Sequence, residues 1–277
     1  LKKVLDNGSG PLNAKVFHDI AGVVSLGSSH TGELGFDTRQ LITAEEFHRF
    51  AMYTGENIPY NLYWAHNHEV NPNSLPETPI EVARVHTTSF CPYDCPFCAH
   101  QEYVKELHGR RLFMLYPDEL LNMVTQIVEK TRAKGIYFND DEMFSGRSRV
   151  KQFLKLVVDA KTNGQLPQKV CFYGQTRVDT VDEEILFLAS EAGWVYISFG
   201  VESFSDEALK SDDLRKRFTA EEATVAVRQS LCHIPITNVN LILFYHSVTR
   251  QNFIETVETV YHLLRDSLEK GNKMSVN

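Results

Sequence analysis

No apolar run in this chain approaches the roughly 18–20 residues needed to cross a bilayer. The opening "LKKVLDNGSGPLNAK" carries no apolar core of the kind a signal peptide needs. Cysteine is scarce, five in 277 residues. An odd count without an export signal does not form a disulfide framework. Together these features lead to the expectation of a reducing, cytoplasmic setting with no membrane partner. Positive charge is in deficit: 28 Lys and Arg against 36 Asp and Glu leave a net charge of −8. That argues against a sequence-independent grip on nucleic acid, which needs a basic surface, although a local basic groove is compatible with it. There is no internal repeat and no low-complexity tract. What remains, 43% hydrophobic and 23% charged residues, is the composition of a globular α/β domain or two smaller ones. Because the chain opens on Leu1 rather than Met, it reads as an excerpt of a longer polypeptide.

The thiols that are present are crowded. Cys91, Cys95 and Cys98 fall within eight residues of "FCPYDCPFCAH". Clustered thiolates in a reducing compartment bind soft or borderline metals, chiefly zinc and iron–sulfur clusters. A structural zinc site wants four ligands, commonly two paired knuckles. This chain has one triplet and no second pair. A Cys3His site completed by His100 or His108 is one reading. A cubane cluster held by three thiolates, with one iron open to a substrate or cofactor, is the other. Cys171, inside a strand pattern, and Cys232, near a helix end, read as small buried apolar residues instead.

The pattern around the triplet is regular. Residues 1–78 form a small mixed segment, with a short strand in "AGVVSLG" and a helix opening on the capping box Thr43 to Glu46. "HNHEVNPNSLPETP" (66–79) reads as a linker, with His66 and His68 as surface histidines on a loop. His18, His30 and His48 also lie in this segment and carry no assigned role. From residue 79 onward, strand patterns at 80–90, 136–140, 169–179, 194–203 and 237–246 alternate with helix patterns. Alternation at this spacing means βαβ units with right-handed crossovers and a parallel sheet. The strands read as near-continuous apolar runs, as in sheets covered on both faces. "KMSVN" (273–277) looks like the start of a sixth strand, cut short. The expected architecture is α/β: a partial (βα)6 TIM-like barrel at 79–277, preceded by the N-terminal segment at 1–78. Chemistry in such a sheet sits at the strands' C-terminal ends. There the sequence puts the three cysteines, Asn139, Asp140, Asp141 and Glu142, Gln175 and Arg177, Ser198 and Glu202, and His246.

The CxxxCxxC triplet after the first strand of a βα repeat, with Phe97 just before the last cysteine, resembles the radical S-adenosylmethionine (SAM) superfamily over about residues 80–277. The resemblance implies that Cys91, Cys95 and Cys98 ligate a [4Fe–4S] cluster and that SAM chelates the open iron. It implies reductive cleavage of SAM to a 5′-deoxyadenosyl radical that abstracts hydrogen from a substrate. It also implies an electron donor such as flavodoxin or ferredoxin. The backbone near Phe97 would lie against adenine. "NDDEM" stands where the family commonly has Gly-Gly-Glu, so Asp140 and Asp141 are the candidates for the SAM ammonium group, with a solvated helix-capping cluster as the alternative. "GQTRVD" and "ISFGVES" resemble the cobalamin-associated methylase branch, which implies Gln175, Arg177, Ser198 and Glu202 around SAM, with Arg177 pairing either Glu202 or the SAM carboxylate. In place of that branch's Pro-Gly turn stands His246-Ser247, and His246 is a candidate acid or base as well as an ordinary loop residue. Residues 1–78 are too short for a cobalamin domain and contain no DxHxxG motif, so cobalamin is allowed by the resemblance rather than predicted. The expected substrate is a small molecule or peptide undergoing methylation or rearrangement. An RNA-modifying enzyme and a non-catalytic zinc module are the rival readings.

Overall fold

The computed structural model describes residues 25–26, 34–35, 43–52, 58–70, 81–99 and 112–277. Strands β1 (Ser25–Leu26) and β2 (Leu34–Gly35) form a short antiparallel pair. Helix α1 (Ala44–Ala51) starts at the expected place, with Thr43 and Glu46 exchanging the two capping-box hydrogen bonds. Helix α2 (Tyr60–Val70) runs through part of the stretch expected to be a linker, so His66 sits on a helix. Its "NLYWAHNH" has no Gly or Pro, and Trp64 anchors it by donating from Nε1 to the Val82 carbonyl at 3.2 Å. The side chain of His68, and residues 71–80, lie outside the described residues, as do His18, His30, His100 and His108.

The rest is a six-stranded parallel sheet in strict chain order: β3 (Val82–Val85), β4 (Gly135–Phe138), β5 (Cys171–Thr176), β6 (Trp194–Glu202), β7 (Ile236–Leu241) and β8 (Lys273–Val276). Helices α3 (Pro117–Thr131), α4 (Arg147–Thr162), α5 (Glu183–Ala192), α7 (Ala220–His233) and α8 (Arg250–Lys270) make the crossovers. A five-residue helix, α6 (Asp206–Lys210), was not expected. Asp182, Thr219 and Thr249 cap their helices through side-chain oxygens, and Gly193 and Gly271 close α5 and α8 in the left-handed conformation. Helix α3 ends differently from expectation. Arg132, at φ 63°, makes its left-handed turn, and Gly135 begins the next strand. A Cβ on Gly135 would stand 2.8 Å from the Tyr173 ring, so that position is kept bare by cross-strand packing.

One face of the sheet is the core. Phe138, Phe172, Ile197, Phe199 and Val239 are fully buried on it, and Trp194 stacks on Phe138 at 5.3 Å and on Phe172 at 5.6 Å. The other face corrects the expectation of strands that are apolar on both sides. Tyr137, Tyr173 and Tyr196 stand in register across three strands, and Gln175, Ser198, Asn238 and Ser275 form the next row across four. Tyrosine counts as apolar in a sequence pattern but brings a hydroxyl. The Tyr173 hydroxyl is buried and finds no hydrogen-bond partner among the described residues. Two amides, Asn238 and Asn240, converge on the Ser198 hydroxyl at 2.9 and 2.8 Å. This polar face runs up to the strand ends where the candidate residues lie.

Candidate active site

Cys91, Cys95 and Cys98 follow β3 on one loop, all half-buried. The Cys98 amide donates to the Cys95 carbonyl at 3.1 Å, folding the last two thiols into a turn. Burial pushes the Cys91 thiol up to about 11; a hydrogen bond from the Tyr93 backbone opposes this, and the Glu142 and Asp141 carboxylates add to it. Among the described residues no three His, Cys, Asp or Glu side chains converge tightly enough to hold a metal ion. The thiols are therefore gathered by the loop but not drawn together on one point. As a donor set they suit a soft metal: three accessible sulfurs on one loop, with a permanent cation beside one of them.

That cation is Arg177. Its Nη1 donates toward the Cys95 sulfur at 3.6 Å, and its plane lies 4.0 Å from the Tyr93 ring. It does not pair with Glu202. Asp179 takes it in a fork, from Nε at 2.8 Å and Nη2 at 2.7 Å. An i, i+2 fork across the strand's exit is short-range and forms at little entropic cost, which explains why it displaces the longer-range pairing. Burial opposes the guanidinium's charge, but the Asp179 bonds and the neighbouring Cys95 and Tyr93 outweigh it and raise its pKa.

Glu202 pairs with Lys216 instead, at 3.1 Å, in a bridge that is nearly sealed from water. Lys216 also donates to the Gly200 carbonyl at 3.1 Å and lies 5.3 Å from the Phe97 ring of the cysteine loop. Glu202 has φ 70°, rare for a residue with a side chain, at a register shift in the β6–β7 pairing. Lys216 thus clamps a strained strand end and touches the loop that carries the thiols. Sequence reasoning missed it, because a lysine between two helices carries no local signal of burial. Phe97 itself is 41% exposed, presenting an open ring face.

The strand-end acids divide. Asp141 is exposed. Asp140 is buried, and both of its oxygens are occupied by Thr87 and Thr88, so an ammonium group does not find it free. Glu142, which the sequence grouped with its neighbours without a role, is buried too. It accepts from the Arg177 amide at 2.8 Å, from the Phe144 amide at 3.2 Å and from the Thr176 hydroxyl. Burial is the main reason its carboxyl rises to about 7. Gln175 and Ser198 are register partners on the polar face, one row below Arg177. His246 stands exposed on a turn, where the adjacent Ser247 is tied to Asp213 through its amide at 2.9 Å and its hydroxyl at 2.5 Å. Strand β7 stops at Leu241, so the "FYH" expected to end that strand lies beyond it. Cys171 is half-buried, its thiol directed at the Lys169 carbonyl at 3.4 Å. Cys232 is exposed rather than buried, and Lys270 donates to its sulfur at 3.0 Å.

A parallel βα sheet with a thiol triplet after its first strand, and polar residues at the ends of the others, defines an α/β scaffold with its candidate chemistry at the strand ends. The sequence profile of the Radical SAM superfamily matches residues 85–260. The chain belongs to that superfamily, whose enzymes work through a [4Fe–4S] cluster and SAM. It is 28% identical over 190 residues to hopanoid C-2 methylase of Rhodopseudomonas palustris (strain TIE-1), covering 66% of this chain and 34% of that protein. Among solved structures it resembles TsrM of Kitasatospora setae, a radical SAM methyltransferase with tryptophan and a SAM analogue bound. The TM-score is 0.57 at 16% identity, covering 66% of this chain and 34% of TsrM. It also resembles the cobalamin-dependent radical enzyme OxsB with aqua-cobalamin and SAM bound, with TM-score 0.58 at 16% identity, covering 87% of this chain and 32% of OxsB. The chain thus spans about a third of the length of these relatives. At such identities the two structures show the fold. No helix among the described residues is long and apolar enough to cross a membrane.

Proposed function

We propose that Cys91, Cys95 and Cys98 hold a [4Fe–4S] cluster and that the strand ends above the sheet's polar face hold SAM for radical chemistry. The observation that carries this reading is the half-buried thiol triplet after β3 with the Arg177 guanidinium at the Cys95 sulfur. When bound, such a cluster supplies the electron that cleaves SAM reductively. This chain's residues do the rest. Arg177 offsets the negative charge that three thiolates bring. Phe97 offers an exposed ring beside the last ligand, and the backbone there lies against adenine. Glu202, fixed by Lys216, and Ser198 with Gln175 present hydrogen-bonding groups to a nucleoside. Asp141, the exposed acid of the run, carries the charge for a methionyl ammonium, the part in which the sequence also placed Asp140. The row of Tyr137, Tyr173 and Tyr196 below them forms a floor suited to a substrate with both apolar and polar parts, and the Tyr173 hydroxyl, without a partner among the described residues, supports that reading.

Methyl transfer is the outcome we favour. The relatives named above are a methylase, a methyltransferase and a cobalamin-dependent radical enzyme. A cobalamin partner, a flavodoxin- or ferredoxin-type electron donor, a cytoplasmic setting, and the division into residues 1–78 and a core at 79–277 belong to the same proposal. The test is anaerobic reconstitution with iron and sulfide, then addition of dithionite and SAM. About four irons per chain, a brown colour and 5′-deoxyadenosine are expected. One zinc and no colour, or an intact cluster that leaves SAM whole, would defeat the reading.

A further inference from the structure

The base of the cysteine loop is fastened by a buried carboxylate, and we infer that Asp140 is a positioning residue that fixes the thiol triplet for cluster binding. The inference rests on the ligand set proposed above. Asp140 is 1% exposed and accepts four hydrogen bonds. Two come from the backbone amides of Thr87 and Thr88, at 2.7 and 2.5 Å into Oδ1. Two come from their hydroxyls, at 3.0 Å into Oδ2 and 2.8 Å into Oδ1. Thr88 is three residues before Cys91. The chain returning from the loop is zipped to the same point. The Leu115 amide donates to the Thr87 carbonyl at 3.0 Å and the Ser89 amide to the Phe113 carbonyl at 2.9 Å; Thr88 and Met114 form an antiparallel bridge.

Arg149 closes the arrangement. Its Nη2 donates to the Thr87 hydroxyl at 3.0 Å, its Nε to the Leu115 carbonyl at 2.8 Å, and its Nη1 to the Met143 carbonyl at 3.4 Å. One guanidinium thereby touches the outgoing strand, the returning strand and the segment after Asp140, and it supplies the charge that lets Asp140 stay buried. A loop whose two ends are fixed has less freedom to lose when its side chains converge on one ligand. The acid's oxygens face the root of the cysteine loop and are spent there.

The test compares the reconstituted wild-type protein with Asp140→Asn, Asp140→Ala, Thr88→Val and Ser230→Ala. Ser230 is fully buried and bonded to the Thr237 hydroxyl on the β7 side of the fold, so its variant perturbs packing without touching the loop. Readouts are bound iron and sulfide, the rate of iron loss to a ferrous chelator, the electron paramagnetic resonance spectrum of the reduced cluster, and thermal stability. Wild type and Ser230→Ala should hold about four irons with the same release rate. Asp140→Ala should release iron roughly tenfold faster, or assemble less, since tenfold corresponds to the loss of about one charge-assisted hydrogen bond. Asp140→Asn and Thr88→Val should fall between, and their spectra should broaden as ligand geometry spreads. Should Asp140→Ala fail to fold, these two milder variants carry the test. Iron release that matches wild type in the folded Asp140 and Thr88 variants would overturn the inference while leaving the cluster in place. Release that tracks thermal stability equally in Ser230→Ala would overturn it as well. A wild-type protein that takes up no iron would remove the proposed function itself, and the inference with it.

Discussion

Arg177 donates toward the sulfur of Cys95 from 3.6 Å while Asp179, two residues on, grips the other edge of its guanidinium. Strand β5 thereby delivers a fixed positive charge to the loop after β3, across a sequence separation of 82 residues.

Removing that charge should move the cluster's electronics more than its assembly. Arg177→Met keeps the length of the stem but loses the fork and the stack on Tyr93. A reduced cluster carries one more negative charge than an oxidised one, so a nearby cation favours reduction. The reduction potential of the reconstituted cluster should fall by roughly 60 mV, a tenfold change for one electron. Arg177→Lys should fall in between. A redox titration followed by electron paramagnetic resonance measures it, and an unchanged potential would show that Arg177 does not act on the cysteines.

Glu142 predicts how the metal-free fold responds to pH. Its carboxyl rises from 4.5 to about 7 in the folded state, chiefly through burial. The folded protein then binds this proton more tightly than the unfolded chain. Stability from this group is full below about pH 4.5 and declines as pH rises through about 7. The decline amounts to a few kcal/mol, since a tenfold difference in proton affinity is worth about 1.4 kcal/mol. Glu142→Gln should flatten that part of the profile, measured as denaturation midpoint between pH 5 and 8. Parallel profiles for the two proteins would contradict the burial argument.

Much of the scaffold was legible in the sequence. Capping boxes at Thr43 and Thr219 mark helix starts because the side-chain bonds that form them are local. The βα alternation dictated strand order, since parallel crossovers allow few topologies. Three things were hidden. The polar face was read as apolar because "CFYGQT" and "WVYISFG" hide tyrosine hydroxyls within hydrophobic runs. The partners of Asp140, Glu202 and Cys95 lie 14 to 82 residues away, and no local pattern encodes them. The split of "NDDEM" into an exposed Asp141 and buried neighbours depends on a turn whose geometry the sequence leaves open.

Lys216 and Glu202 should behave as one unit. Both are nearly sealed, and Glu202 sits at a positive φ. Lys216→Met leaves a buried carboxylate without its cation and should cost about 3–5 kcal/mol. Glu202→Gln leaves the buried ammonium without its counter-charge, bonded only to the Gly200 carbonyl and a neutral amide, at a comparable cost. The double variant should recover more than about 1 kcal/mol relative to the sum, the mark of coupling between touching residues. Chemical denaturation of the four proteins gives the cycle. Additive losses would mean that the pair is not coupled, and that other contacts hold Glu202 in its turned conformation.

The cysteines separate ligands from bystanders. Cys95→Ala should abolish stable cluster binding, because two thiolates remain where three are proposed. Cys171→Ala and Cys232→Ala should keep the full iron content. Cys171 is half-buried, so its loss should cost at most about 2 kcal/mol of packing. Cys232 is exposed beside Lys270, and its loss should cost less. Iron and sulfide analysis of the three variants beside wild type decides the matter. If Cys171→Ala loses iron as Cys95→Ala does, strand β5 supplies a ligand and the three-thiol assignment is wrong. If Cys95→Ala keeps its iron, the loop after β3 is not the cluster's seat, and the charge Arg177 places there has some other purpose.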